Sequence, residues 1–469
     1  MGHDALRLAL LLLLLPIQVY PNSSNAYDYE HCETIVEKWA SSSRQTDNNN
    51  DDGHILKDLL FFLHVPRTGG RSYFYCFLKK LYSSSLECPR SYDKLRFNPR
   101  KQNCRLLATH DDYSIMSKLS REKTSVVTIL RNPVERVFSA YEFSIEVAAR
   151  FLVHTNLTSA AKTSEKLRLK KGVVSTLDIW PWKYLVPWMM EELFKRRDAR
   201  KKMGQPFAYG NDPYNVEEVV LPLHEFINHP VAMDIVHNGA TFQIAGLTNN
   251  SNIWDAHDVR HCVMTHQTLG KHVLEVAKKR LDDMLYVGLT EDHRESATMF
   301  ANLVGQQVIS QLAASNPVTE AGNDTSAVEA QNKNMTVENL METYGTCVSK
   351  LRSSQSKRRI NSFRRISPVN FTKEARRHVS EAVLKHISLL NGLDIELYKH
   401  AQKFFIKQHQ VMEHKQVDSA TEQESWHLMH SRNYIGSAWE ILYLFLFILL
   451  LLFICLYVNA KRRKSKVKI

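Results

Sequence analysis

Leu59-Leu60-Phe61-Phe62-Leu63-His64-Val65-Pro66-Arg67-Thr68-Gly69-Gly70-Arg71-Ser72 is the stretch on which the reading turns. Leu59 to Val65 is continuous, largely apolar and rich in strand formers, so it predicts a buried strand. The glycine pair predicts a tight turn, and a helix is expected to begin near Ser72. Such a turn aims backbone N–H groups and a helix N-terminus at an anion. Arg67 and Arg71 add positive charge, and Thr68 and Ser72 add hydroxyl donors. It is not a Walker loop, because G-x-x-x-x-G-K-[ST] is absent. Taken alone, the segment reads equally as an ordinary strand-to-helix turn.

Farther on stands Thr128-Ile129-Leu130-Arg131-Asn132-Pro133-Val134-Glu135-Arg136-Val137-Phe138-Ser139-Ala140-Tyr141. The apolar run Ser125–Leu130 ends in Arg131, and Pro133 suits the first turn of a helix. Ser139 falls about two helical turns in, where a hydroxyl can share one phosphate with Arg131. Arg105–Thr109 and Met284–Leu289 are further strand-like runs. Helical spacing marks Glu135–Val153, Thr290–Val304 and Ala375–Phe405, with Thr290 as the expected cap of the second and Asn391-Gly392 as a break in the third. Buried strands alternating with helices predict an α/β fold, a central parallel sheet flanked by helices.

Together the two segments resemble the sulfotransferase superfamily. The resemblance implies a P-loop-like sulfotransferase fold that binds 3′-phosphoadenosine 5′-phosphosulfate (PAPS). It places Arg67, Thr68, Gly69, Gly70, Arg71 and Ser72 at the 5′-phosphosulfate, and Arg131 and Ser139 at the 3′-phosphate. Arg67 stands where most of the superfamily carries lysine, so a fork replaces a point charge at the reacting end. Within the superfamily, Ala108-Thr109-His110-Asp111-Asp112-Tyr113, Val287–Glu291 and Asn391–Tyr398 resemble segments of heparan-sulfate 6-O-sulfotransferases. That likeness makes His110 the general base and Arg67 its catalytic partner. Gln243, in Asn238–Leu247, is near the site by looser resemblance. Likeness is good over about residues 59–150 and looser over 240–305 and 375–405.

The ends of the 469-residue chain carry a different signal. Met1–Ala26 reads as a secretory signal peptide, with a short apolar run broken by Pro16. Ile441–Val458 is an uncharged apolar run long enough to span a bilayer, and a basic tail follows it. The expectation is a type I membrane protein with its body in the secretory lumen. Six of the net +12 charges lie in the last nine residues, so the body is only mildly basic. That excludes a strong nucleic-acid footprint and suits an anionic ligand or an acidic partner. Sequons at Asn156, Asn249, Asn323, Asn334 and Asn370 agree with this topology as candidate glycosylation sites, and Asn22 is expected to leave with the signal. Cys32, Cys76, Cys88, Cys104, Cys262 and Cys347 allow three disulfides in any of fifteen pairings.

The domain order expected is a signal peptide (1–26), a polar leader (27–58), a luminal sulfotransferase domain (59–405), a stalk (406–438), a transmembrane helix (439–459) and a basic cytoplasmic tail (460–469). Residues 314–367 read as an exposed insertion, with Ser356–Arg365 as a solvated basic run or a hold for acidic substrate. Residues 158–215 read as a basic and aromatic cover. Glu135 and Glu146 read as solvated. His257 and His261 have helical metal spacing, but no pattern completes a site, so no metal is expected.

Topology narrows the resemblance. A cleavable signal and a carboxy-terminal span on this body are similar to the plant-type tyrosylprotein sulfotransferases. That implies a Golgi enzyme, single-pass and type I, acting on tyrosines beside acidic residues in secreted peptide precursors. Two alternatives stay open: sulfation of a heparan-type glycan, and a type I binding protein on a degenerate sulfotransferase fold.

Overall fold

In the computed structural model, residues 28–46, 55–88, 104–168, 175–203, 212–315 and 335–465 are described. Four strands, β1 (Leu59–Leu63), β2 (Leu106–Thr109), β3 (Thr124–Leu130) and β4 (Tyr286–Leu289), form one parallel sheet in the order β2-β1-β3-β4. Every position of β2, β3 and β4 is buried, which continuous apolar runs require when helices cover both faces. The chain leaves β1 for β2 on one side and then crosses to β3 on the other. The order therefore reverses between β1 and β3, and ligands of open α/β sheets bind at the carboxyl ends of the strands beside such a reversal. The fold is α/β, as the strand runs predicted.

The helix after β3, α3 below, begins where Asn132-Pro133 predicts. The Asn132 side chain accepts from the backbone N–H groups of Val134 and Glu135 at 3.1 and 3.2 Å, and Pro133 opens the first turn. In chain order the helices used here are α1 (Tyr29–Thr46), α2 (Gly70–Tyr73), α3 (Pro133–Ala149), α4 (Trp182–Met203), α5 (Gly239–Ile244) and α6 (Ala256–Thr265). They continue with α7 (His293–Phe300), α8 (Val337–Phe363), α9 (Lys373–Arg377) and α10 (Gly392–Ser465). Val137, Phe138, Tyr141 and Ile145 of α3 enter one core with Leu185, Met189 and Leu193 of α4, so the 158–215 region is partly a core element. A buried ion pair of 2.7 Å, Arg136 to Asp394, ties α3 to the start of α10. Asp394 also accepts from Ala240 N, Thr241 N and Thr241 Oγ1, so its charge is fully bonded.

Three expectations change. The polar leader contains α1, whose Cys32, Val36, Trp39, Ala40 and Ser43 are buried along one stripe. Cys32–Cys262 fastens it to α6. Of the expected exposed insertion, residues 337–363 form α8, which buries Leu340, Tyr344 and Val348 and is bonded through Cys76–Cys347. Its apolar stripe was masked by a polar composition. Thr290 caps no helix; α7 starts at His293, and Thr290 is used elsewhere. The third disulfide is Cys88–Cys104.

The chain divides into two compact units, Met1–Phe405 and Ile406–Ile469. The second contains Leu442–Asn459, 18 residues of mean hydropathy 2.7, long and apolar enough to cross a membrane.

Candidate active site

The first wall is the turn after β1. Arg67 has φ +68° and Gly69 φ +81°, both left-handed. Glycine takes that conformation freely, whereas for arginine it costs about 1–2 kcal/mol. Local bonds hold the turn: Thr68 Oγ1 donates to Val65 O at 2.8 Å, and Ser72 N to Gly69 O at 3.0 Å. Gly70 is needed for space, because a Cβ there would lie 2.5 Å from His64 Cδ2 and 2.8 Å from Phe62 Cζ.

His64 stacks on Phe62, ring centroids 5.3 Å apart, and faces His110 at 4.1 Å. His110 follows the end of β2, so neighbouring strand ends bring the two imidazoles together. Gln243 Nε2, from α5, donates to His110 O at 2.9 Å and to His64 O at 3.3 Å, pinning both strand ends. Burial, then Arg67 and Arg71, hold His64 down to about 3. Burial, then His64 and Arg67, keep His110 well below the usual histidine range. At neutral pH both rings are therefore uncharged.

The second wall is the end of β3 and the face of α3. Arg131 Nη1 donates to Arg67 O at 3.3 Å. The Arg67 side chain crosses to α3: Nε donates to Ser139 Oγ at 2.9 Å, and the guanidinium lies 4.3 Å from the centroid of the Phe143 ring. No carboxylate among the described residues pairs with Arg67. Burial, then Arg131, bring it to about 10, so it remains a cation at neutral pH. Thr290 Oγ1, at the end of β4, donates to Thr68 O at 2.6 Å and Leu130 O at 2.9 Å, joining the two walls. Glu291 accepts from Asn132 N at 3.1 Å and from Tyr398 OH at 2.7 Å.

Glu135, Ser139 and Glu142 lie at i, i+4 and i+7 on one face of α3. Glu135 pairs with Arg131 at 3.3 Å and with Arg376 of α9. Glu142 accepts from Tyr214 OH at 2.8 Å, from Arg376 at 2.8 Å and from Arg359 of α8 at 3.0 Å. Glu135 is thus paired, not merely solvated, and so is Glu146, which accepts from Arg150 at 2.6 Å. The Ser356–Arg365 run lies at the end of α8 and sends Arg359 into this network.

The structure brings Arg67, Thr68, Gly69, Gly70, His110, Arg131 and Ser139 to one end of the sheet. Ser72 sits in the first turn of α2, and Arg71 is exposed, its guanidinium 5.4 Å from the centroid of the Tyr75 ring. Arg67 and Ser139, assigned to opposite ends of a nucleotide, bond each other here. Sequence reasoning missed His64, Glu142, Arg359 and Arg376. The Glu135–Ser139–Glu142 spacing was a usable signal; the distant arginines gave none. Among the sequons, Asn156, Asn249 and Asn370 are exposed, and Asn323 and Asn334 fall outside the described residues.

The turn after β1 and the arginine-to-helix passage after β3 are the two segments that resemble sulfotransferases in sequence, and the protein is a transferase of that class by its likeness to a curated relative. No family model matches the sequence. The protein named protein-tyrosine sulfotransferase of Arabidopsis thaliana is 53% identical over 496 aligned positions, which cover 99% of this chain and 99% of that relative. The chain belongs to the protein-tyrosine sulfotransferase family.

Proposed function

We propose that the protein transfers the sulfuryl group of PAPS to tyrosine hydroxyls in acidic stretches of secreted peptide precursors. The observation that carries the reading is Arg67. A half-buried guanidinium that no carboxylate among the described residues pairs with directly, beside a glycine turn and a second arginine, is stabilised by an anionic ligand. PAPS supplies a sulfuryl group on a phosphate leaving group, and the residues present fit its two anionic ends. The amides of the Thr68–Arg71 turn and the Arg67 guanidinium face the phosphosulfate, while Arg131 and Ser139 face the 3′-phosphate.

His110 acts as general base. A phenol of ordinary pKa about 10 is a poor nucleophile at neutral pH, and a neutral imidazole can take its proton as the oxygen closes on sulfur. The new bond is tyrosine O–S, the S–O bond to the nucleotide phosphate breaks, and 3′,5′-ADP leaves with the electron pair. Arg67 and the turn amides stabilise that departing charge, and no metal is required. The mildly basic body suits acidic peptides. The apolar Leu442–Asn459 helix and the basic residues after it fit a type I anchor in the Golgi membrane, with residues 59–405 luminal behind a cleaved signal.

The test is transfer of radiolabelled sulfate by the full-length protein in detergent, with an Asp-Tyr peptide and desulfated heparan offered in parallel. Label is expected on the tyrosine. His110→Ala should lower transfer about 10²- to 10⁴-fold while 3′,5′-ADP still binds. Label on the glycan alone would replace the acceptor, and undiminished transfer by His110→Ala would remove the base.

A further inference from the structure

We infer that Glu135 competes with the nucleotide's 3′-phosphate for Arg131 and Arg376, making Arg376 a further phosphate ligand and Glu135 a brake on nucleotide affinity. The inference rests on the nucleotide reading above. A phosphate bound by Arg131 and Ser139 meets a guanidinium that Glu135 already holds. Its carboxylate is 3.3 Å from Arg131, and Ser139 follows one helical turn later on the same face. Two anions drawn to the same guanidinium repel each other unless one leaves or a further cation is shared.

The two glutamates differ in their ability to leave. The Glu142 side chain is 3% exposed and held by Tyr214, Arg359 and Arg376. The Glu135 side chain is 43% exposed, so it can turn to water without burying charge. Arg376 spans both. Its planar fork has five donors, enough to keep Glu142 while trading Glu135 for a phosphate. Glu142 therefore fixes Arg376 in position, and Glu135 is the exchangeable partner. The residues come from α3 and α9, so the 3′ end of the nucleotide would be read partly by the carboxy-terminal part of the body. A nucleotide without a 3′-phosphate would not displace Glu135 and would gain nothing from Arg376.

The experiment measures affinities of full-length protein in detergent for 3′,5′-ADP and 5′-AMP by calorimetry, with thermal melting as the folding control. Arg376→Gln should weaken 3′,5′-ADP about 10- to 100-fold and leave 5′-AMP nearly unchanged. Arg376→Lys, which keeps charge but loses the fork, should fall between. Glu135→Gln should tighten 3′,5′-ADP several-fold without affecting 5′-AMP. Equal changes for both nucleotides, or none, in Arg376→Gln and Glu135→Gln would overturn the proposal. Should Arg376→Gln fail to fold, Glu135→Gln decides alone: an unchanged affinity ratio sinks it. A wild-type protein that does not prefer 3′,5′-ADP to 5′-AMP sinks the nucleotide reading itself.

Discussion

The two walls of the site are built on different physics. The glycine-turn wall is held by shape: two left-handed residues, a glycine with no room for a Cβ, and two imidazoles in tilted contact. The arginine wall is held by charge, with Arg131, Arg376 and Arg359 interleaved with Glu135 and Glu142. Shape fails abruptly, because close-packed atoms have nowhere to go. Exchangeable ion pairs fail gradually and respond to salt. Damage to the first wall should therefore be steep, and damage to the second graded.

The sharpest way to break this contrast is Gly70→Ala. One methyl group meets His64 Cδ2 at 2.5 Å, His64 Nε2 at 2.6 Å and Phe62 Cζ at 2.8 Å. The His64 ring centroid lies 4.1 Å from that of His110, so a shift of His64 is felt there. Displacing reacting groups by about 1 Å costs on the order of 100-fold in rate. Sulfate transfer is expected to drop by at least about that factor, with a smaller effect on melting. Gly69→Ala is the internal control. Its Cβ would meet only Thr290 Cγ2 at 3.8 Å, so only the φ penalty of about 1–2 kcal/mol remains. If Gly69→Ala proves the more damaging, sterics do not organise this wall.

The same contrast governs what could be read from the sequence. The shape-built wall was legible, because strands, glycines and prolines act locally. Leu59–Leu63 ran straight into Gly69-Gly70, and Asn132-Pro133 announced α3. The charge-built wall was half legible. Arg131 and Ser139 were found, but Glu142 reads as a surface residue until Arg359 and Arg376 arrive from more than 200 positions away. Arg136 stands in the quoted segment, but nothing local announces its partner Asp394, 258 residues distant. Helix α1 was overlooked for another reason. Its apolar stripe is present at Val36, Trp39 and Ala40, but the surrounding charge passed for a solvated leader.

Acid is a second way to sharpen the comparison. His64 is held at about 3 in the folded protein and titrates near 6.5 when unfolded. Between those values the unfolded chain binds the extra proton, so stability is intact above pH 6.5 and is lost as pH falls toward 3. By pH 4 this one residue accounts for up to about 3 kcal/mol. His64→Asn should melt less steeply with falling pH between 6.5 and 4 than wild type. Parallel melting curves for the two proteins would show that the imidazole pair is not the acid-sensitive element.

The mildest perturbation is Ser139→Ala, on the arginine wall. The hydroxyl accepts from the Arg67 Nε at 2.9 Å, and its loss leaves that half-buried donor short of a partner. Such a loss costs about 1 kcal/mol of stability. An incoming phosphate can bond the same guanidinium, so nucleotide should recover part of that loss. The expected result is a lower melting temperature, about 10-fold weaker 3′,5′-ADP binding, and a larger thermal shift at saturating nucleotide than wild type shows. The hydroxyl carries no charge, so the salt dependence of binding should keep its slope, whereas Arg131→Gln should flatten it. A flattened slope in Ser139→Ala would mean that the serine positions the arginines themselves. The two walls would then be one rigid unit, and the distinction between shape and charge would fail at Ser139.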